Sequence, residues 1–145
     1  MDDRLAEIGM SKLPGLAVGL KGSAEIVVGE KHTAPKVGSG RVHVLATPVM
    51  INLIEAAALA AVEHLLPAGQ QSLGTHLDVR HFAATPVGMR VSAEAELIRI
   101  DGRLLSFRVS AADAVEVIGE GTHQRVVVTL ERFDQRVQKK AARIG

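Results

Sequence analysis

The sequence predicts an α+β domain in which an antiparallel sheet wraps around one long central helix, and three observations carry that expectation. An alanine-rich apolar stretch over residues 48 to 66 has the length of a single buried helix. Period-two alternation follows it from residue 73 towards residue 130, the mark of strands. Asp101-Gly102, a strong hairpin signal, sits among those segments, so neighbouring strands are expected to run antiparallel. At 145 residues the chain has the size of one domain and can bury a real core. Residues 1 to 20 read as an N-terminal extension and residues 132 to 145 as a basic tail.

Residues 23 to 30, SAEIVVGE, form the first expected strand from their β-branched content. Residues 31 to 40, KHTAPKVGSG, are expected to be an exposed loop because Pro35, Gly38, Ser39 and Gly40 are turn formers. Thr47-Pro48 is a helix start signal: threonine caps free amides, and proline at the first helical position has no N–H to leave unsatisfied. Pro67-Ala68-Gly69 stops the helix. Alanines 56, 57, 58, 60 and 61 leave apolar residues on nearly every side, which describes a helix enclosed by other structure and closely approached by a sheet.

After Gly69, Leu73, Thr75, Leu77, Val79, His81 and Ala83 are expected to share one strand face, with Gly74, His76, Asp78, Arg80 and Phe82 on the other. Val91, Ala93, Ala95 and Leu97 continue the alternation, which slips at Ile98 and Ile100 and so predicts a bulge. Leu105, Phe107, Val109 and Ala111 make the returning strand, and a last strand runs from about residue 115 to 130 through Gly119 and Gly121. Residues 132 to 143 read as a short basic helix. One helix and at least four antiparallel strands indicate a hot-dog fold; a ferredoxin-like sandwich would need a second core helix, for which there is no segment.

Composition narrows the function. Hydrophobic residues make up 47% of the chain, charged residues 23%, and the net charge is +1, which fits a globular domain and gives no electrostatic drive towards nucleic acid. Cysteine is absent, so thiolate nucleophiles, disulfides and Cys-ligated metal are excluded together. Phe82, Phe107 and Phe133 are the only aromatics, too few for base stacking. The N-terminus carries acids at positions 2 and 3 and no signal-length apolar run, and the apolar stretch at 48 to 66 is broken by Asn52, Glu55, Glu63 and His64, so a cytoplasmic chain without membrane contact is expected.

No general catalytic signature is present, so candidate residues follow from position. His81 interrupts an apolar face, where it is either a satisfied core histidine or a partly buried titratable group. His76 lies an odd number of residues away and points to the other face, which argues against a shared metal ion. Glu55 lies inside the buried helix, where an ionised carboxylate needs a partner. Thr47 places a hydroxyl at the helix N-terminus, where free amides also suit an oxyanion. Eight helical residues rise about 12 Å, too far for Thr47 and Glu55 to touch, but an imidazole between them permits a Thr–His–Glu relay. Arg125, in GTHQR, is either a solvated edge residue or a bidentate anchor for a phosphate or carboxylate. Arg136, Lys139, Lys140 and Arg143 read chiefly as a solvated helix face.

Four segments taken together, LATPVMINLIEAA at 45 to 57, SLGTHLDVRHFAATPVG at 72 to 88, DGRLLSFRVSAAD at 101 to 113 and IGEGTHQRVVV at 118 to 128, resemble the fluoroacetyl-CoA thioesterase group of hot-dog proteins. The resemblance covers about residues 40 to 138. It implies a dimeric acyl-CoA thioesterase, with higher assembly open and no cofactor beyond the CoA of the substrate. It also implies roles: Thr47 matches the catalytic helix-cap threonine, Glu55 the helix glutamate and His81 the strand histidine. Gly74 matches the glycine whose amide binds the thioester oxygen, and Arg125 an arginine of the acyl or CoA site. Fluoroacetate specialists of this group carry a Phe-rich lid ahead of the central helix, whereas residues 30 to 45 contain no aromatic here, so an ordinary short or medium acyl chain is expected. A binding module without turnover is the alternative from another class, and hydratase or dehydratase chemistry on an acyl thioester ranks behind it.

Overall fold

The computed structural model describes residues 13 to 144. Five strands form one antiparallel sheet: β1 (Lys21–Val27), β2 (Gln70–His81), β3 (Arg90–Asp101), β4 (Leu104–Asp113) and β5 (Val117–Thr129). Their spatial order is β1-β3-β4-β5-β2. A one-turn helix, α1 (Ala34–Val37), precedes the long helix α2 (Thr47–Val62), and α3 (Leu130–Ala141) follows β5. The sheet curls around α2, which gives the expected hot-dog architecture.

Small residues set the depth of that embrace. Met50, Leu53, Ile54, Ala57, Ala58, Ala61 and Val62 of α2 are buried, and α2 packs chiefly against β1 and β3. At Gly22 a side chain would collide with the backbone of Ala57 and Ala61, so β1 crosses the helix with no Cβ between them. The sheet supplies Val91, Ala93, Ala95, Leu97, Leu105, Phe107, Val109 and Ala111 to the core, alternating as the sequence predicted. Burying each large aliphatic chain of this set contributes roughly 1.5–3 kcal/mol. The predicted bulge falls between Leu97 and Arg99, and the β3–β4 hairpin closes through Gly102, whose φ of 62° favours glycine.

Several expectations change. The stretch at 31 to 40 is partly ordered, with a one-turn 3-10 helix (Glu30–His32), then α1, and Thr33 fully buried. The central α-helix ends at Val62 and continues as a 3-10 turn (Glu63–Leu65). It is enclosed on one side only: Asn52 and Ala60 are exposed, and Ile51 and Leu59 are partly so. The 19 residues of Thr47–Leu65 are long and apolar enough to cross a membrane by length and composition, yet here they form the helix that the sheet wraps. Residues 13 to 20 belong to the body of the domain, with Leu13 buried and the Gly19 amide donating to the Leu97 carbonyl at 2.8 Å. The remainder of the N-terminal extension lies outside the described residues.

The faces of β2 are also corrected. Its pairing with β5 shifts between Gly74 and His76, so Thr75 is an extra residue. One extra residue inverts the parity of everything before it. Ser72 and Gly74 therefore share the helix-facing side with Leu77, Val79 and His81, while Leu73 points outward and is 38% exposed. Among the described residues β2 is an edge strand, paired with β5 alone.

Candidate functional site

Two polar clusters line the helix-facing side of β2. The first is at the start of α2. Ala46 is the N-cap and provides no side-chain cap, so Thr47, in the first turn, is not the capping residue expected from Thr-Pro. Its hydroxyl instead meets His81: Thr47 Oγ1 and His81 Nδ1 are 2.7 Å apart. Pro48 has no N–H, and the Val49 and Met50 amides donate to the Ala46 carbonyl at 3.1 and 3.2 Å, so the first-turn groups that converge at this end of the helix are the Thr47 amide, the Thr47 hydroxyl and the His81 imidazole.

His81 Nε2 has no hydrogen-bond partner among the described residues. Burial pushes the His81 pKa below its ordinary value, and a weaker backbone interaction at Ala83 acts the other way. The imidazole is therefore neutral at pH 7, with one nitrogen on Thr47 and the other free. A cavity of about 320 Å³ opens beside the pair, lined by Ala34, Val44, Leu45, Phe82, Ala83 and Ala84 among others. A larger depression of about 510 Å³ lies on the outer sheet face among Glu94, Glu96 and Glu120. Arg108 shares that lining, and neither Thr47 nor His81 reaches that face, so the smaller cavity is the one beside the Thr47–His81 pair.

The second cluster surrounds Arg125, which is only 5% exposed. Its Nε donates to Ser72 Oγ at 2.8 Å and its Nη2 to the Ser72 carbonyl at 3.1 Å. Nη1 faces Glu55 Oε2 at 3.4 Å and His123 Nε2 at 3.2 Å. His123 is fully buried, and its Nδ1 lies 2.8 Å from the His76 carbonyl at the bulge, which fixes the proton on Nδ1 and leaves Nε2 to accept from Arg125. Burial lowers the His123 pKa, the His76 carbonyl opposes that effect, and the Arg125 charge adds to it. His123 stacks on Phe107 with ring centroids 6.1 Å apart.

Gly74 lies beneath this cluster. A Cβ there would collide with the Glu55 carboxylate and press on His123 Cε1 at 3.2 Å and Arg125 Nη1 at 3.4 Å. Gly74 is thus what lets Glu55 lie over the strand.

Within one chain the five predicted residues fall into two groups. Thr47 and His81 are joined; Glu55, Gly74 and Arg125 are joined; and the Glu55 carboxylate bonds Arg125, with no hydrogen bond to His81. The single-chain relay through an interposed imidazole is therefore not formed. Ser72, Glu63 and His123 were missed from sequence. His123 had a signal, since it is two residues before Arg125 on the same strand and must share its face. His76 points to the opposite face and is exposed. Among the described residues no group of three or more His, Cys, Asp or Glu is placed to hold a metal ion. Arg136, Lys139 and Lys140 lie exposed on α3, where the Arg136 guanidinium sits 5.9 Å from the Phe133 ring centre.

Comparison with known proteins adds to this geometry. The family model described as fluoroacetyl-CoA-specific thioesterase matches residues 28–131. The fluoroacetyl-CoA thioesterase of Streptantibioticus cattleyicolor is 48% identical over 97 residues, covering 67% of this chain and 70% of that protein. A solved structure of the fluoroacetyl-CoA thioesterase FlK superposes with a TM-score of 0.81 at 40% identity, covering 86% of this chain and 97% of the other. A Thermus thermophilus hypothetical protein, a thioesterase superfamily member, superposes with a TM-score of 0.82 at 26% identity, covering 88% and 94%.

Proposed function

Given that the chain belongs to the fluoroacetyl-CoA-specific thioesterase family, we propose that it hydrolyses a short or medium acyl-CoA to a carboxylate and free CoA. The observation that carries this reading is the 2.7 Å contact between Thr47 Oγ1 and His81 Nδ1 at the open N-terminus of α2. A neutral imidazole beside a hydroxyl is a base in contact with a nucleophile, and the same Nδ1 can equally take a proton from a water held at the Thr47 hydroxyl. In either route His81 accepts the proton of the attacking oxygen and later returns one to the thiolate of departing CoA. The Gly74 amide, together with the positive end of the α2 dipole, is assigned to the thioester oxygen as it becomes negative. Apart from Thr47 and His81, the cavity beside His81 is lined mostly by small aliphatic side chains, with Ser39 and Phe82 completing the wall.

Glu55 enters through a second copy of the chain. β2 offers a free edge of 12 residues, and such an edge is a template for another strand. Antiparallel pairing of β2 with itself about Leu77 sets Gly74 of one protomer opposite Arg80 of the other, beside His81. The partner's Glu55, lying over the partner's Gly74, then reaches the Thr47–His81 pair that its own chain cannot reach. In this homodimer each site takes Thr47 and His81 from one protomer and the carboxylate from the other.

Mixing two inactive variants tests both parts. Glu55→Gln and His81→Ala should each lower thiol release from an acyl-CoA by about 10²-fold or more. Refolded together in equal amounts, they should recover about a quarter of wild-type activity, because half the dimers are mixed and each has one intact site. Absence of turnover on every acyl-CoA, in protein shown to be folded, would refute the thioesterase reading. Failure of the mixture to recover would refute the shared site.

A further inference from the structure

The Arg125 cluster extends beyond the residues that the proposed chemistry uses. Glu63, in the 3-10 turn after α2, grips Ser72 with both carboxylate oxygens: Oε2 accepts the Ser72 amide at 2.9 Å and Oε1 accepts the Ser72 hydroxyl at 2.6 Å. A serine hydroxyl has one proton. With that proton committed to Glu63, Ser72 Oγ can only accept, and what it accepts is Arg125 Nε. The Ser72 carbonyl takes Nη2. One whole edge of the guanidinium is thereby fixed, and since the group is planar and its fork rigid, Nη1 has one direction left, towards Glu55 and His123.

We propose that Glu63 is a positioning residue for the acyl-CoA site: acting through Ser72, it locks the Arg125 guanidinium in the orientation that holds the Glu55 carboxylate over Gly74. This inference rests on the thioesterase reading. Donors and acceptors alternate without a break along Glu63, Ser72, Arg125 and Glu55, and each hydrogen bond polarises the next. Ser72 and Arg125 are each 5% exposed, so water cannot substitute for a lost partner in the middle of the chain. Glu55, at the working end, is partly open, its side chain 35% exposed. The chain therefore runs from a partly exposed anchor, Glu63, through a buried middle to a working group that faces solvent. Glu63 touches neither Thr47 nor His81 and makes no contact with the cavity beside them.

The test compares steady-state kinetics of Glu63→Gln with wild type, singly and in the Glu55→Gln background, using one acyl-CoA and a thiol-release assay. Glutamine keeps the size of Glu63 but cannot accept from the Ser72 amide and hydroxyl through two oxygens. Glu63→Gln should lower kcat on the order of tenfold, since slight misplacement of a working group is costly, while KM stays within about twofold. Added to Glu55→Gln it should lower kcat no further. Ser72→Ala should repeat the pattern and serves if Glu63→Gln does not fold.

Wild-type kcat in folded Glu63→Gln would overturn the inference, as would an equal loss with and without Glu55, which is the signature of a merely structural role. If Glu55→Gln lowers kcat and Glu63→Gln does not, this inference alone fails. If Glu55→Gln leaves kcat unchanged, the assignment of Glu55 and this inference fail together, while turnover itself still supports the thioesterase reading.

Discussion

Replacing Gly74 by alanine should separate activity from stability. The backbone at Gly74 is not among the left-handed glycines, so alanine fits its conformation. The new methyl collides with the Glu55 carboxylate and crowds His123 and Arg125. Of these three groups the carboxylate is the free end of a flexible, partly exposed chain, and it is the one that moves. The lost Arg125–Glu55 contact is long at 3.4 Å and its carboxylate side is 35% exposed, so its contribution lies at or below the lower end of the roughly 1.5–3 kcal/mol of charged hydrogen bonds. Gly→Ala returns about 0.4–1 kcal/mol by restricting the unfolded chain. The net destabilisation is about 1 kcal/mol or less, a Tm change of about 2–4 °C for a chain of this size. Displacement of a working carboxylate by 1 Å or more costs about 10²-fold in rate, near 2.7 kcal/mol of barrier. Thiol release from acyl-CoA and a thermal melt on the same preparation read the two effects. Wild-type kcat in folded Gly74→Ala, or a further loss when it is combined with Glu55→Gln, would refute the reasoning.

Two pH dependences follow from the histidines. Burial lowers the His81 pKa, so its basic form persists below the ordinary 6.5; the acid limb of kcat/KM should therefore lie below pH 6.5, and a limb above that value would remove His81 as the base. For His123 the unfolded chain binds its proton near pH 6.5 while the folded chain resists it, so the stabilisation is present above 6.5 and is lost as pH falls towards the folded value. Denaturant unfolding should show stability falling by up to about 1.4 kcal/mol per pH unit for this residue as pH drops below 6.5, and a slope unchanged in His123→Gln would contradict it.

Much of the fold was legible because its signals are local. Thr-Pro and Pro-Ala-Gly bracket α2, Asp-Gly marks the hairpin, and the slip at Ile98 announces its own bulge through the apolar pattern. The bulge at Thr75 gave no such sign. Both faces of β2 mix apolar and polar residues, since one of them serves a site and not a core, so a shift of one residue leaves the pattern equally plausible. The plain alternation consequently places Gly74 and Leu73 on the wrong sides. Thr47 was recognised for a cap that Ala46 provides by backbone geometry, because sequence cannot show that the hydroxyl has a better partner 34 residues away. Glu63 was legible only as a polar break in an apolar helix, since its partner is fixed by tertiary packing.

The extra residue at Thr75 also has a consequence for how this protein tolerates change in length. It acts as a half-period phase shift: the segment carrying Ser72 and Gly74 and the segment carrying Leu77, Val79 and His81 face α2 together only because one uneven step lies between them. Deleting that step would rotate one segment away from the helix without altering any side chain of the other. Substitution at 75 is therefore far milder than deletion there, and an otherwise ordinary surface threonine, one of the 12 residues of β2, is the position at which the residue count itself is the functional property.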